Sequence, residues 1–321
     1  MELSRHQLRL HQALATTWGQ IEQRDSLLIR HQHGLGEASP LPAYGGEDLG
    51  TCQQALARID DDACQTWLAQ QNPWAPWPQE LPAVARFGLL SALVDALAKS
   101  HDRPLHRLYG AKQDRIPIVQ LQALHQPRLP LGACSKFKAE ADPASTLRVL
   151  QALPKQGQWR IDVNGAWDPD QSRWFWQHAC RLPIAYLEQP LAPGQLNEHA
   201  RLRAEGCRIA LDEDLRSLSD AHAIIATEAA DVLIVKPALL GGPDRCHALQ
   251  QHTRLPLVFS TLLDGAVARR QVAALALSLG GTLPQGLGTG QLLATDLPLP
   301  ADPIHDDHWQ ASGAGIGMAW P

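Results

Sequence analysis

The stretch Ala185-Tyr186-Leu187-Glu188-Gln189-Pro190 decides how this chain is read. A short apolar run ends on a carboxylate, and a proline two residues later stops the strand. The same construction recurs on both sides. Ser135-Lys136-Phe137-Lys138 and Trp159-Arg160-Ile161-Asp162 precede it, and Arg208-Ile209-Ala210-Leu211-Asp212 and Val232-Leu233-Ile234-Val235-Lys236 follow it. Lys138, Asp162, Glu188, Asp212 and Lys236 succeed one another every 24 to 26 residues, with a helical stretch between each pair. Repeated strand–helix units of about two dozen residues close into a parallel barrel, and its active site lies at the C-terminal ends of the strands.

The runs Ile116 to Gln122 and Leu255 to Ser260 extend the series, and a short run at Thr282 to Gly286 makes eight. Eight such units take roughly 190 residues and leave roughly 130 for a second domain. The opening of the chain suits a domain of sheet and helix. Ser26 to Arg30 alternates like an antiparallel sheet edge, with a turn expected at Gly34 to Gly36, and Pro40 and Pro42 argue against a central strand in Gly36 to Pro42. Asp48 to Gln70 reads as helix. Asn72 to Pro78 is a proline-broken connector. Phe87, Leu90, Val94 and Leu97 form the stripe of an amphipathic helix over Ala83 to Lys99.

Composition excludes several classes. Of 321 residues, 45% are hydrophobic and 19% charged, so the chain is expected to be a folded globular protein rather than a disordered or fibrous one. A net charge of −5 with no basic run argues against nucleic acid. The polar N-terminus and short apolar runs argue against a signal peptide and a membrane span, so the expected location is the cytoplasm. Cys52, Cys64, Cys134, Cys180, Cys207 and Cys246 have no C-x-x-C spacing and read as buried free thiols. His31, His33, His305 and His308 read as solvated side chains rather than metal ligands. The oligomeric state stays open between monomer and homo-oligomer.

Three carboxylates brought to one barrel mouth would repel unless a cation joined them. Oxygen-only ligation by Asp162, Glu188 and Asp212 suits Mg²⁺ better than Zn²⁺, which prefers His and Cys. Any one of these acids alone would pass for a helix N-cap; the pattern lies in the matched spacing of all three. Lys136 and Lys138 share one strand face, and neighbouring positive charge would lower a lysine towards a value suited to a base. Lys236, on the sixth strand if Lys138 is on the second, would lie across the barrel. Lysines beside a metal, with no nucleophile and no cofactor motif, point to abstraction of a proton alpha to a carboxylate.

Taken in order, Lys136-x-Lys138, Asp162-x-Asn164, Glu188-Gln189-Pro190, Asp212-Glu213 and Lys236-Pro237 resemble the enolase superfamily, specifically its muconate-lactonizing subgroup. Gly36-Glu37-Ala38-Ser39-Pro40-Leu41-Pro42 and Pro104-Leu105-His106-Arg107-Leu108-Tyr109-Gly110 carry the resemblance across most of the chain. It implies an α/β fold: a modified TIM-type (β/α) barrel over residues 100–294 and an α+β capping domain over residues 1–99, with residues 295–321 packing back on the cap. It also implies Mg²⁺ on Asp162, Glu188 and Asp212.

Within the subgroup stand o-succinylbenzoate synthases, muconate cycloisomerases, N-acylamino acid racemases and dipeptide epimerases, all sharing the lysines. The compact chain resembles the first. The epimerases' Asp-x-Asp is replaced here by Gly286-Leu287-Gly288-Thr289-Gly290, an acid-free wall suited to a dicarboxylate. The implied reaction is dehydration of 2-succinyl-6-hydroxy-2,4-cyclohexadiene-1-carboxylate, towards menaquinone or phylloquinone. Lys138 would be the base, Lys236 would stabilise the enediolate, and Lys136 would contact substrate carboxylate and tune Lys138. Asn164, Glu213, Ser260, Thr261, Asp264 and Gly288 would contact substrate or support the residues that do. Racemase or cycloisomerase activity is the alternative, and a non-catalytic carboxylate-binding barrel the remote one. Two places depart from the pattern: Ser260-Thr261-Leu262-Leu263-Asp264-Gly265, where many of these synthases have Ser-Ser-x-x-Glu-Ser, and a short capping loop at Thr17-Trp18-Gly19.

Overall fold

Leu27, Leu28 and Ile29 are buried at the centre of an antiparallel sheet of β1 (Glu2–Thr16), β2 (Gly19–His31) and β3 (Gly34–Ala38), in that order. The computed structural model describes residues 1–16, 19–44, 46–297, 300, 302–305 and 307–318. Thr17 and Trp18 of the expected capping loop lie outside the described residues. Contacts group the chain into two compact units, residues 1–117, 236–252 and 259–321 in one, and 118–235 and 253–258 in the other.

In the first unit the hairpin turn falls on Gln32 and His33, before the expected glycines, and Gln32 takes the left-handed backbone at φ 53°. Gly34 and Gly36 serve a different purpose. A Cβ at either would lie 2.0 Å from a backbone oxygen of Ala92 or Gly88, so only glycine lets β3 meet the helix Ala83–Ser100 this closely. β3 is an edge strand, and its prolines follow rather than interrupt it.

The helix Ala83–Ser100 is buried on every side from Val84 to Ala98, not along one stripe. The expected helix Asp48 to Gln70 is two, Leu49–Ala57 and Asp61–Ala69, because Asp48 and Asp60 each accept a backbone hydrogen bond as N-caps. His31 is buried, 3.4 Å from Asp61, and not solvated as its sequence position suggested.

The expected strand Ile116 to Gln122 is also two. β4 (Arg115–Pro117) pairs antiparallel with a strand from the far end of the chain, and β5 (Gln120–Gln122) opens the parallel sheet. That sheet continues through β6 (Cys134–Lys138), β7 (Gln158–Asp162), β8 (Ile184–Glu188), β9 (Ile209–Leu211), β10 (Val232–Val235) and β11 (Leu257–Phe259), neighbour to neighbour in sequence order. β12 (Ile304–His305) and β13 (His308–Gln310) complete the small sheet with β4.

The eighth run, Thr282 to Gly286, forms no strand among the described residues. Pro284 lacks a donor, and the run makes only isolated bridges, one at Gln285 and one from Gly286 to Ser260.

Helices follow the strands of the second unit, and Phe137, Trp159, Ile161, Phe175 and Leu187 pack between the two layers. Asp142, Asp168 and Ser217 cap three of these helices with side-chain hydrogen bonds. None of the strand-end acids acts as a cap. All six cysteines are free; five are buried, and Cys180 is exposed, contrary to the sequence expectation. No helix among the described residues is long and apolar enough to cross a membrane.

Candidate active site

Parallel register lines up the charged strand ends. Lys138 pairs with Asp162, Asp162 with Glu188 and Glu188 with Ala210, so Asp212 lies just past the end of β9. Phe137 is fully buried in the layer of helices, and Lys136 and Lys138 project from the opposite face of β6. The Lys136 ammonium sits between two acids, 2.7 Å from Glu188 Oε1 and 2.8 Å from Asp162 Oδ2.

Burial alone would lower Lys136. Asp162, Glu188 and Asp212 outweigh it and hold the pKa above the usual lysine range. Lys136 is therefore a fixed cation in this arrangement. Burial raises Glu188, and the charges of Asp162 and Asp212 add to that against the pull of Lys136. Lys138 is exposed. Asn164, in the left-handed region at φ 49°, donates from Nδ2 to Glu213 Oε1 at 3.3 Å.

A residue quoted in the sequence motif without a role ties these strand ends together. Gln189 is fully buried; its Nε2 donates to Leu191 O and Asp214 Oδ2, and its Oε1 accepts from the backbone of Asp212 and Asp214. One amide thus holds the loop of Glu188 to the loop of Asp212. Beside it His199 is enclosed, 3.8 Å from Asp214, and burial pushes it down to about 4 against the pull of that acid. Gln189→Leu leaves two buried N–H groups without an acceptor and is expected to cost about 3 kcal/mol in urea unfolding. Gln189→Glu is expected to recover none of it, because its second carboxylate oxygen would face Leu191 O and Asp214 Oδ2, which now accept from Nε2.

In the first unit, Lys236 follows β10 and starts the short helix Pro237–Leu240. It is buried. Its ammonium donates to the Tyr44 hydroxyl at 2.8 Å and lies 4.5 Å from the centre of that ring. Tyr44 comes from the turn Pro42–Tyr44, 192 residues away, and no local pattern marks it.

Thr261 shares a 2.5 Å hydrogen bond with Thr289, Ser260 donates to Gly286 O at 3.3 Å, and Gly288 starts the turn Gly288–Leu292. Asp264 is 1% exposed, and its Oδ2 accepts from Leu262 N at 2.8 Å. Burial and the nearby Glu37 push it up to about 6, against Arg24. Its environment is that of a buried support rather than a substrate contact.

Residues 113–320 match the family described as enolase C-terminal domain-like. The chain belongs to the enolase superfamily. Its relatives include an o-succinylbenzoate synthase of Thermosynechococcus vestitus, 30% identical over 82% of this chain and 84% of that protein. Another is an o-succinylbenzoate synthase of Edwardsiella ictaluri, 30% identical over 96% of this chain and 98% of that one. Among solved structures, muconate lactonizing enzyme from Pseudomonas fluorescens, in complex with muconolactone, superposes with a TM-score of 0.83 over 100% of this chain and 95% of its own at 23% identity. That likeness establishes the fold, a modified (β/α) barrel with an α+β capping domain. The chain is an enzyme that groups with lyases.

Members of the enolase superfamily generally use Mg²⁺. As the side chains stand, Lys136 occupies the acids, and among the described residues no three His, Cys, Asp or Glu side chains form a metal-binding group. The donor chemistry nevertheless fits. Three buried carboxylates from consecutive strand ends offer oxygen ligands alone, and the burial that raises Glu188 is relieved when a dication faces it.

Proposed function

We propose that this enolase-superfamily chain is an o-succinylbenzoate synthase acting on 2-succinyl-6-hydroxy-2,4-cyclohexadiene-1-carboxylate. The observation that carries the reading is the acid and lysine set on the ends of adjacent parallel strands, with Lys136 held between Asp162 and Glu188. The two synthases aligned along most of the chain support the substrate class.

In this reading Asp162, Glu188 and Asp212 hold Mg²⁺, which supplies positive charge for the carboxylate oxygens as the enediolate forms. Lys138, as the neutral amine, takes the proton alpha to the carboxylate, and the C–H electron pair enters the enediolate. The same ammonium then gives its proton to the departing hydroxyl on the same face, so that water leaves and the ring becomes aromatic. Lys236 holds its ammonium against the enediolate; Lys138 and Lys236 belong to the second and sixth strands of the sheet. Lys136 contacts the substrate carboxylate.

Tyr44 keeps Lys236 in place. Tyr44→Phe removes the hydrogen-bond acceptor and keeps the ring, and is expected to lower kcat/KM about tenfold and to cost about 1–3 kcal/mol of stability. Steady-state kinetics beside a thermal melt check it.

The fold is shared with an enzyme solved with muconolactone, so an isomerase must be told apart from a dehydratase by rate. The test compares dehydration of the cyclohexadiene with alpha-deuterium exchange into N-succinylamino acids, both with Mg²⁺. Dehydration faster than exchange is expected. Exchange much faster than dehydration would assign the chain to the racemases, and turnover of neither would favour a carboxylate-binding barrel.

A further inference from the structure

We propose that Glu37 is a positioning residue of the active site: it serves as the N-terminal cap of the helix Ala266–Leu279 from a distant strand, and Gly265 is the residue that makes room for it. Glu37 lies on β3 and is fully buried. Its Oε1 accepts from Ser26 Oγ, Ser39 Oγ and Gly265 N, each at 2.7 Å, and its Oε2 accepts from Ala268 N at 3.0 Å.

Ala268, at the third helical position, carries the backbone N–H that an N-cap side chain would ordinarily satisfy, and the Gly265 N–H is the one a third-position side chain reaches back to in a capping box. Gly265 occupies the cap position and has no side chain for the task. A carboxylate at a helix N-terminus also gains from the helix dipole.

Geometry couples the two positions. A Cβ on Gly265 would lie 2.5 Å from Glu37 Oε1 and 2.9 Å from its Cδ. The backbone of Gly265 is ordinary, at φ −74°, so conformation does not demand glycine there; the carboxylate does.

The effect reaches the strand-end loop. Arg24, buried beside Glu37, donates to Leu262 O at 2.7 Å and to the carbonyls of Ser39 and Pro40. Asp264 accepts from Leu262 N, and Leu263 takes the left-handed backbone at φ 57°. The loop between β11 and the helix, which begins with Ser260 and Thr261, is thus pinned at Leu262 by Arg24 and at Gly265 by Glu37. Glu37 acts on substrate through Ser260 and Thr261. That step rests on the proposed function; the capping does not.

The test uses Glu37→Gln, Glu37→Ala, Gly265→Ser and the double variant Glu37→Ala/Gly265→Ser in the full chain. Amide hydrogen exchange at Gly265 and Ala268, which needs no substrate, is expected to accelerate at least about tenfold in Glu37→Gln relative to the rest of the helix. With Mg²⁺ and the cyclohexadiene, KM is expected to rise about tenfold with kcat within about threefold of wild type. A merely structural role would lower the active fraction and leave KM alone. Gly265→Ser is expected to lower the melting temperature, and the double variant, which restores a local serine cap, to regain most of it.

Unchanged exchange at both amides, or a double variant whose loss equals the sum of the singles, overturns the proposal. A wild-type chain inactive on the cyclohexadiene would overturn the functional reading alone and leave the capping to be decided by exchange and by the coupling between residues 37 and 265.

Discussion

Lys138→Ala is expected to lower turnover of 2-succinyl-6-hydroxy-2,4-cyclohexadiene-1-carboxylate by about 10³-fold while the protein melts at the wild-type temperature. The magnitude is that of losing a positioned general acid–base, and here one residue serves both proton transfers. The separation of activity from stability follows from the site. Lys138 ends its strand exposed, whereas Phe137 beside it is fully buried, so truncation opens no cavity. Stopped-flow or steady-state loss of substrate absorbance, beside a thermal melt, reads both quantities. A variant with kcat within a few-fold of wild type would remove Lys138 from the mechanism.

Lys136→Met is expected to act in the opposite manner, on stability first. It removes the ammonium that lies within 3 Å of both Glu188 and Asp162 and leaves two buried carboxylates facing each other. Breaking a buried pair by removing one partner costs about 3–5 kcal/mol, because the remaining charge is stranded. The loss is expected in metal-free buffer by urea unfolding. Millimolar Mg²⁺ is expected to stabilise the variant more than the wild type, since the dication supplies the charge that the ammonium no longer does. Equal stability of the two proteins without metal would show that the Lys136 contacts carry no weight.

The sequence and the structure agree where chemistry and periodicity coincide. An ionisable residue closing a β-branched run is unusual enough to stand out, and five of them at one period placed β6 to β10 and their C-terminal ends. Agreement fails where the partner is far away in the chain. Ile116 to Gln122 reads as one apolar run, yet Arg115–Pro117 pairs with His308–Gln310, and nothing local to residue 116 announces that. Tyr44 against Lys236 and Glu37 against Gly265 are separated by 192 and 228 residues.

Glu37 was visible only as part of a Gly-Glu-Ala-Ser-Pro motif, and Gly265 only as a departure from a family pattern. The structure shows them to be one feature. The charged state of Lys136 was not legible from Lys138 beside it in the sequence, because its ammonium lies closest to two carboxylates from other strands and is held charged by them.

The most direct test of the central claim is turnover of the cyclohexadiene by the purified full chain as Mg²⁺ is titrated into metal-free protein. o-Succinylbenzoate is expected to appear with a rate that saturates in Mg²⁺ and vanishes on chelation. Formation of no o-succinylbenzoate at saturating Mg²⁺, from protein that melts cooperatively, would contradict it.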